Sequence, residues 1–469
     1  MADNFSHKKE EKELVKRYES SRKGTTLSTY FTESEFESII GFFIEEGLYE
    51  KAVSAAKLAV SQYPFSSDLR LDLVQSLTSV ERYDEALETL EESEVYHPMD
   101  EEIALTKANV LTIMGDYQGA INIYQRLLDT TDDTSEIYFN IGMCYQSNSD
   151  YRNAIEFYKL SIEDDQSNES ALYELAYCLN AEGELEESIV YYKKFIDEDP
   201  YSELAWYNLG ILYNKLEKYE EAIEAYDYAI IIDDSFSSAY FNMGNAYMNV
   251  EKYSKALDSY TRTLDLEGPS SELYCHLGAA YENLSQYELA IKYFQKAVKL
   301  DDLNHEAWFG VGVNLSYKEK WHEACHFLQR AIKITNGIAA YWHALADSEC
   351  RSGNIISGIQ AYEEANFLEP ENQDIYLDWS FVFYEQGKYE KAIDLIKSGI
   401  EVLPKEANLY YRITAYLIES GQYKQAFAYL ENALILDFDK HEALYEFFPK
   451  LETQKALFKI IDQYRKRNR

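Results

Sequence analysis

Small residues recur along the chain at a spacing of 34 positions. Stepping by 34 from Ala52 to Ala426 gives twelve positions, of which ten carry Ala. The other two carry Ser188 and Gly358, which are also small. An aromatic residue stands three positions before the small residue in ten of the twelve cases. Because this register does not slip between residues 33 and 440, we expect twelve tandem units of one supersecondary motif.

Each unit is predicted to be a pair of helices joined by a short polar turn. In the unit 203–236, apolar and small residues recur twice at i, i+3, i+4 and i+7, which is the spacing of one helix face. These residues are Trp206, Leu209, Gly210 and Tyr213 in the first helix, and Tyr219, Ala222, Ile223 and Tyr226 in the second. The small residues let the helix backbones approach closely, and the aromatic residues fill the spaces beside them.

Glycine and proline mark the ends of the predicted helices. Glycine occupies the turn inside six units, where a residue with left-handed backbone geometry ends the first helix. These six are Gly47, Gly115, Gly183, Gly353, Gly387 and Gly421. Proline falls at one repeat position in five units, where it is expected to stop the second helix. These five are Pro64, Pro98, Pro200, Pro370 and Pro404.

The pattern resembles the tetratricopeptide repeat, whose signature is Trp-x2-Leu-Gly-x2-Tyr, then Ala-x3-Phe, then Pro. The matching residues in one unit are Trp206, Leu209, Gly210, Tyr213, Ala222 and Tyr226. The resemblance covers residues 33–440, with departures at Ile40 and Glu349. It implies an all-α fold, a right-handed solenoid of antiparallel helix pairs whose first helices line a concave groove. It also implies a protein-binding role.

The two ends of the chain differ from the acidic array between them. Residues 1–32 and 441–469 each carry more Lys and Arg than Asp and Glu. We interpret residues 1–32 as a charged N-terminal lead-in. Residues 441–469 are interpreted as C-terminal capping helices with a basic tail, because the last repeat of a solenoid needs a solvated cover.

Composition and charge exclude several classes of protein. The net charge of −39 argues against binding to nucleic acid or to a membrane surface. A hydrophobic content of 46% is too high for a disordered acidic tail. We find no apolar stretch of signal-peptide length near the start, so a cytoplasmic location is expected. The five cysteines include no CxxC pair, which argues against a disulfide framework or a zinc ribbon.

One segment matches a catalytic motif. Residues 322–326 read His-Glu-Ala-Cys-His, which fits the HExxH pattern of zinc hydrolases. However, Ala324 is the repeat alanine, so His322 and His326 are predicted to lie on the outward side of a second helix. We therefore expect no metal, no cofactor and no enzymatic activity, and a zinc hydrolase remains the least favoured alternative. Cys144 and Cys178 share one repeat position and are interpreted as small buried residues rather than nucleophiles.

A second stripe runs along each first helix, at unit positions 2, 5, 6, 9, 12 and 13. In the tetratricopeptide family this stripe faces the concave groove. Over residues 135–270, seven of its 24 residues are Asn and three are charged, although the array is strongly acidic. Exposed aromatic residues on a neutral ground are typical of interaction sites. The predicted peptide-binding groove comprises Phe139, Asn140, Tyr173, Tyr177, Asn180, Tyr207, Asn208, Asn214, Phe241, Asn242, Asn245 and Asn249.

The favoured function is a non-enzymatic scaffold that binds an extended peptide or a partner helix in this groove. The expected partner is a neutral to basic protein segment, since Asn amides both donate to and accept from a peptide backbone. The alternative is a structural or assembly protein that acts through its convex face or its ends, with self-association possible. None of Asn208, Asn242 and Asn245 lies on the predicted packing face, so replacing them with Ala is expected to preserve the fold.

Overall fold

The structure is a computed structural model that describes residues 2–22, 30–131, 134–442, 444 and 455–467. The described residues are 81% helical and contain no strand. They divide into two compact units, residues 1–232 and residues 233–469. The fold class predicted from the repeat pattern is confirmed, since helix pairs stack one after another within each unit as a solenoid.

The first unit begins with one helix outside the array and continues with six helix pairs. Its helices are α1 (Ala2–Arg22), α2 (Glu33–Glu45), α3 (Tyr49–Gln62), α4 (Ser67–Thr78), α5 (Tyr83–Tyr96), α6 (Glu101–Met114), α7 (Tyr117–Leu127), α8 (Thr134–Ser147), α9 (Tyr151–Asp164), α10 (Glu169–Glu182), α11 (Leu185–Glu198), α12 (Glu203–Lys215) and α13 (Tyr219–Ile232). Each helix packs against the next, and the first helices α2, α4 and α6 also touch one another in sequence.

The second unit repeats the same arrangement and ends with a helix outside the array. Its helices are α14 (Ser237–Asn249), α15 (Tyr253–Glu267), α16 (Ser271–Asn283), α17 (Tyr287–Leu300), α18 (His305–Tyr317), α19 (Trp321–Ile334), α20 (Ala339–Arg351), α21 (Ile355–Leu368), α22 (Gln373–Glu385), α23 (Tyr389–Val402), α24 (Ala407–Glu419), α25 (Tyr423–Leu436) and α26 (Lys455–Arg467). A short 3-10 helix, Asp439–His441, follows α25.

The turn inside each helix pair has the left-handed backbone geometry expected from the sequence. All six predicted turn glycines have positive φ, from 69° at Gly47 to 93° at Gly353. The other six pairs place a residue other than glycine at the same position, with φ between 57° and 61°. These residues are Glu81, Ser149, Glu217, Glu251, Ser285 and Glu319. The repeat therefore imposes the turn even where the local residue disfavours it.

The ends of the other helices also follow from particular residues. The side chains of Ser66, Asp100, Asn168 and Ser202 each accept a hydrogen bond from a backbone amide in the first turn of a first helix. Each of the five repeat prolines stands two residues after the end of a second helix, as predicted. Local residues thus determine where each helix starts and stops, and tertiary packing stabilises the helices between those ends.

In several helix pairs, a glycine on the first helix faces a large ring on the second helix. A Cβ added to Gly142 would lie 2.6 Å from Cε1 of Tyr158, and one added to Gly210 would lie 2.5 Å from Cε1 of Tyr226. Both rings are fully buried. Glycine is required here because the ring occupies the space of any larger side chain.

Two helices outside the repeat array cover its ends. In the first unit, the ring of Tyr18 in α1 lies 5.9 Å from that of Phe31 and 6.0 Å from that of Phe43. In the second unit, Leu457 and Ile461 of α26 are buried in the last apolar cluster. Much of the predicted C-terminal cap, residues 445–454, lies outside the described residues. The boundaries predicted for the lead-in, the array and the cap stay predictions.

Candidate binding surface

The stripe predicted from the sequence lines two cavities of the first unit. We use the term first-helix face for the surface that α4, α6, α8, α10 and α12 form with these stripe residues. One cavity, of about 560 Å³, lies between α4 and α6. The other, of about 490 Å³, is lined by α8, α10 and α12 together with one residue of α11. A peptide side chain fits either volume, so both are candidate sites.

The second cavity is called the aromatic pocket. It is lined by Phe139, Met143, Glu169, Ser170, Leu172, Tyr173, Glu174, Tyr192, Leu204, Ala205, Tyr207 and Asn208. Four of the predicted groove residues therefore meet in one cavity, namely Phe139, Tyr173, Tyr207 and Asn208. They come from three successive units, because the stripe repeats every 34 residues.

Buried tyrosines of the second helices support two of the pocket's aromatic side chains. The ring of Phe139 lies 5.7 Å from that of Tyr158, and the ring of Tyr207 lies 5.9 Å from that of Tyr226. Each buried ring occupies the space left by the glycine of its own helix pair. The packing of the core thus sets the positions of the pocket walls.

Two carboxylates of the aromatic pocket are already hydrogen bonded within the protein. Burial raises the pKa of Tyr192, whose side chain also lines the pocket, above its ordinary value. The carboxylate of Glu169 accepts a hydrogen bond from Ser202 Oγ. Oε2 of Glu174 accepts one from Gln146 Nε2 at 2.6 Å. These two carboxylates are therefore satisfied within the protein, and the aromatic side chains remain the main available contacts.

Other predicted groove residues of the first unit lie outside the pocket lining. Tyr177 is 51% exposed and its ring makes an edge contact with Tyr151 at 6.2 Å. Asn180 is exposed, whereas Asn140 and Asn214 are partly buried. Oδ1 of Asn214 is buried and has no hydrogen-bond partner. These residues share the first-helix face with the pocket but do not line it.

Four predicted groove residues lie on α14 in the second unit. Phe241 and Asn242 are partly buried, and the ring of Phe241 lies 4.9 Å from that of His276. Oδ1 of Asn245 accepts a hydrogen bond from the hydroxyl of Tyr260 at 2.7 Å. Asn249 is exposed and donates to the backbone carbonyl of Asn245.

One of these bonds corrects an expectation from the sequence. The position of Asn245 off the packing face predicts that its replacement with Ala preserves the fold. Instead, Oδ1 of Asn245 accepts a hydrogen bond from the hydroxyl of the buried Tyr260. Replacing Asn245 with Ala therefore removes the partner of a buried hydroxyl, which destabilises the fold.

The cavity between α4 and α6 is called the acidic pocket. It lies outside residues 135–270, the range over which the sequence predicts the groove. It is lined by Asp68, Leu71, Asp72, Val74, Gln75, Thr78, Glu102, Thr106, Asn109, Val110 and Ile113. Nine of these eleven occupy the same stripe positions as the predicted groove. Extending the stripe to residues 67–134 would have found them.

The carboxyl group of Asp72 is the most perturbed group of the acidic pocket. Its Oδ2 atom is buried and has no hydrogen-bond partner. Burial, together with the nearby carboxylates of Glu37 and Asp68, raises its pKa from 3.8 to about 6. Glu102 of α6 lines the same cavity. The pocket therefore concentrates negative charge beside apolar walls.

Most residues of the HExxH segment lie on the exposed side of α19. His322, Glu323 and His326 are exposed on α19, and Cys325 is buried. Across the described ranges, no cluster of three or more His, Cys, Asp or Glu residues is placed to hold a metal ion.

Burial raises the pKa of Cys178 to about 12, so its thiol stays protonated at neutral pH. No helix in the described part of the chain is long and apolar enough to cross a membrane.

Several solved structures are similar to this chain. YrrB, described as a tetratricopeptide repeat protein with an unusual peptide-binding site, is 25% identical over 39% of this chain and 95% of its own, with a TM-score of 0.34. The Cut9–Hcn1 hetero-tetramer of the APC/C is 14% identical over 86% and 98%, with a TM-score of 0.41. A repeat protein from Parabacteroides merdae is 14% identical over 53% and 98%, with a TM-score of 0.42. These scores are too low to transfer a binding mode to this chain.

Family models establish what the repeats are. Models of the tetratricopeptide repeat match residues 107–138, 135–168, 170–202, 204–236, 239–272 and 271–302. None of the curated proteins matches the chain. Four of the six matches begin at the first or second residue of a predicted unit, while the length and the count of twelve repeats stay predictions. Together with the stacked helix pairs, these matches identify the chain as a tetratricopeptide repeat protein.

Proposed function

We propose that this chain is a non-enzymatic scaffold whose first-helix face binds an extended protein segment. Tetratricopeptide repeat proteins are protein-interaction scaffolds, and we extend this role to binding of an extended segment in the groove. The observation that supports it is the aromatic pocket, in which side chains from three successive first helices surround about 490 Å³. Apolar walls with a few placed polar groups are typical of sites that bind side chains.

The segment is proposed to lie across successive first helices. Tyr173 is 56% exposed in the pocket, so its ring is available to pack against a partner. Because rings are large and rather rigid, their burial in an interface contributes much of the binding free energy. Tyr177, Asn180 and Asn214 are proposed to extend the contact along the same face. On α14, Phe241, Asn242, Asn245 and Asn249 are proposed as contacts of the same kind.

The partner class follows from charge. A chain with a net charge of −39 attracts a basic protein segment, does not repel a neutral one, and repels nucleic acid and anionic membranes. A cytoplasmic location belongs to the same proposal. Assembly through the second helices or the ends of the chain, including self-association, is the competing function.

The test is capture of short unstructured peptides from a random library by the full chain, followed by affinity measurements with the recovered peptides. Tyr173→Ala is expected to weaken binding by about 1–3 kcal/mol, as for an aromatic anchor. Its melting temperature is expected to match wild type, because the side chain is half exposed. The matched control is Tyr201→Ala, since Tyr201 is 79% exposed and does not line the pocket. Equal losses in both variants, or no captured peptide, would favour assembly through other surfaces.

A further inference from the structure

The Lys and Arg side chains of the two helices that line the acidic pocket form ion pairs outside the pocket. Helix α4 contains one Lys or Arg, Arg70, and α6 contains one, Lys107. Nη1 of Arg70 lies 3.3 Å from Oε2 of Glu92, and Nζ of Lys107 lies 2.7 Å from Oε2 of Glu94. Both glutamates belong to α5, which does not line the pocket. The carboxylates of the pocket therefore receive no ion pair from the helices that carry them.

The pocket walls match a long side chain with a charged end. Leu71, Val74, Val110 and Ile113 supply aliphatic surface, and Ile113 is 59% exposed. Lys and Arg side chains bury an apolar stem and keep a charged group at its end. In this cavity the stem would lie on the aliphatic wall while the charged group meets the carboxylates. The carboxylates of Asp68, Asp72 and Glu102, which line the cavity, are the acceptors for that group.

A bare metal ion fits the pocket less well. Divalent cations need several oxygen ligands that converge on one point. Within the residues that the structure describes, no three acidic, His or Cys side chains converge in that way. The carboxylates are instead spread along a cavity of about 560 Å³, which is large for an ion and suitable for an organic cation.

We propose that the acidic pocket receives a Lys or Arg side chain of the segment that the first-helix face binds. This inference rests on the proposed function, and it adds the chemistry of one side chain of the partner. It makes the first-helix face selective for segments that place a basic residue on the N-terminal side of the array, where α4 and α6 lie.

The pocket can be tested without any peptide. The probe is N-acetyl-arginine methylamide, and its control is the citrulline compound, which has nearly the same shape and no charge. Methyl NMR of the full chain would follow Val110 and Ile113 during titration. Saturable shifts with the arginine compound, and none with the citrulline compound, are expected. Equal responses to both compounds, or no response to either, would overturn the proposal.

Two variants test whether the charge of Asp72 contributes to binding. Asp72→Asn keeps the side-chain shape and is expected to raise the dissociation constant for the arginine compound at least about tenfold, the loss of a hydrogen bond to a charged group. Glu91→Gln is the matched control, because Glu91 is an exposed acid on α5 that does not line the pocket. If both variants weaken binding equally, the effect is net charge and the pocket has no specific role.

Failure of this proposal is distinguishable from failure of the proposed function. If the library yields peptides that bind through Tyr173 but bind equally well after each Lys and Arg is replaced with Gln, the groove function stands and the cation pocket is wrong. If no peptide binds while the arginine compound titrates the acidic pocket normally, the pocket stands and the extended-segment function is wrong.

Discussion

The acidic and aromatic pockets are lined by equivalent stripe positions in different repeats of the first compact unit, residues 1–232, yet their chemistry differs. In the aromatic pocket, Glu169 and Glu174 accept hydrogen bonds from Ser202 and Gln146. In the acidic pocket, Oδ2 of Asp72 has no partner. The repeat architecture thus forms a cavity in both places. The stripe residues decide whether the carboxylates of that cavity are hydrogen bonded within the protein or remain available to a ligand.

The two pockets also differ in how they depend on the core. The rings of the aromatic pocket rest on buried tyrosines, as Phe139 does on Tyr158. The acidic pocket is walled by aliphatic side chains, including the buried Val74 and Val110. Damage to one helix pair is therefore expected to affect the nearer pocket alone, because each repeat mainly contacts its neighbours.

The largest effect is expected from Gly142→Val. The added Cβ would meet the ring of Tyr158 at 2.6 Å, which displaces the ring that supports Phe139. We expect a destabilisation of about 3 kcal/mol, typical of an overpacked core, and loss of the aromatic pocket. Thermal unfolding and hydrogen exchange of α8 and α9 would measure it.

The control for that variant is Gly41→Ala in α2. An added Cβ there meets no atom within 4 Å, so the variant is expected to be neutral or slightly stabilising. The acidic pocket is expected to keep its response to the arginine compound in both variants. Loss of that response in Gly142→Val would show that the two pockets are not independent.

A smaller effect is expected from Asn245→Ala. The variant leaves the buried hydroxyl of Tyr260 without its amide partner, which costs about 1–2 kcal/mol. Adding Tyr260→Phe removes that hydroxyl, so the double variant is expected to be more stable than Asn245→Ala. Chemical denaturation of the three proteins measures the coupling. If the second change restores nothing, Asn245 is free for ligand binding, as its position off the packing face predicts.

Much of the fold was predictable because the same few residue types recur in register. The turn at Gly47 and the glycine beneath Tyr226 follow from spacing and steric rules alone. The position of the first-helix stripe was also predictable, since it depends only on helix geometry.

The use of the stripe residues was less predictable. Asn109, Gln146 and Asn245 all accept from a buried tyrosine hydroxyl of their own helix pair, although Gln146 stands at a different repeat position from the other two. Side-chain length decides which amide reaches the hydroxyl, and the repeat position alone does not predict this. The perturbation of Asp72 depends on Glu37, which lies on a different helix and is brought near only by the packing of the repeats.

A third prediction concerns pH and the acidic pocket. The pKa of Asp72 is raised to about 6, with Glu37 of α2, Asp68 of α4 and Glu102 of α6 around it. The folded state therefore holds this proton more tightly than the unfolded state does. Between about pH 4 and pH 6, this group makes the protein less stable as pH rises.

Asp72→Asn removes that loss. The variant is expected to match wild type near pH 4 and to be more stable by about 1 kcal/mol above pH 6, a value reduced for solvent screening of a partly exposed group. Thermal unfolding at several pH values gives the difference directly. A difference that stays constant with pH would contradict the raised pKa of Asp72.

The smallest effect is expected from salt, and it separates the two pockets most directly. Attraction between an arginine side chain and the carboxylates of the acidic pocket is screened over about 10 Å at 0.1 M ionic strength. Packing against Tyr173 involves no net charge and is expected to change little with salt. For a captured peptide, the loss caused by Asp72→Asn is therefore expected to shrink by about twofold at high salt, while the loss caused by Tyr173→Ala stays constant. Affinity measured for the two variants and wild type at two salt concentrations tests this. If both losses shrink together, charge contributes equally at the two pockets, and the chemical contrast between them does not govern binding.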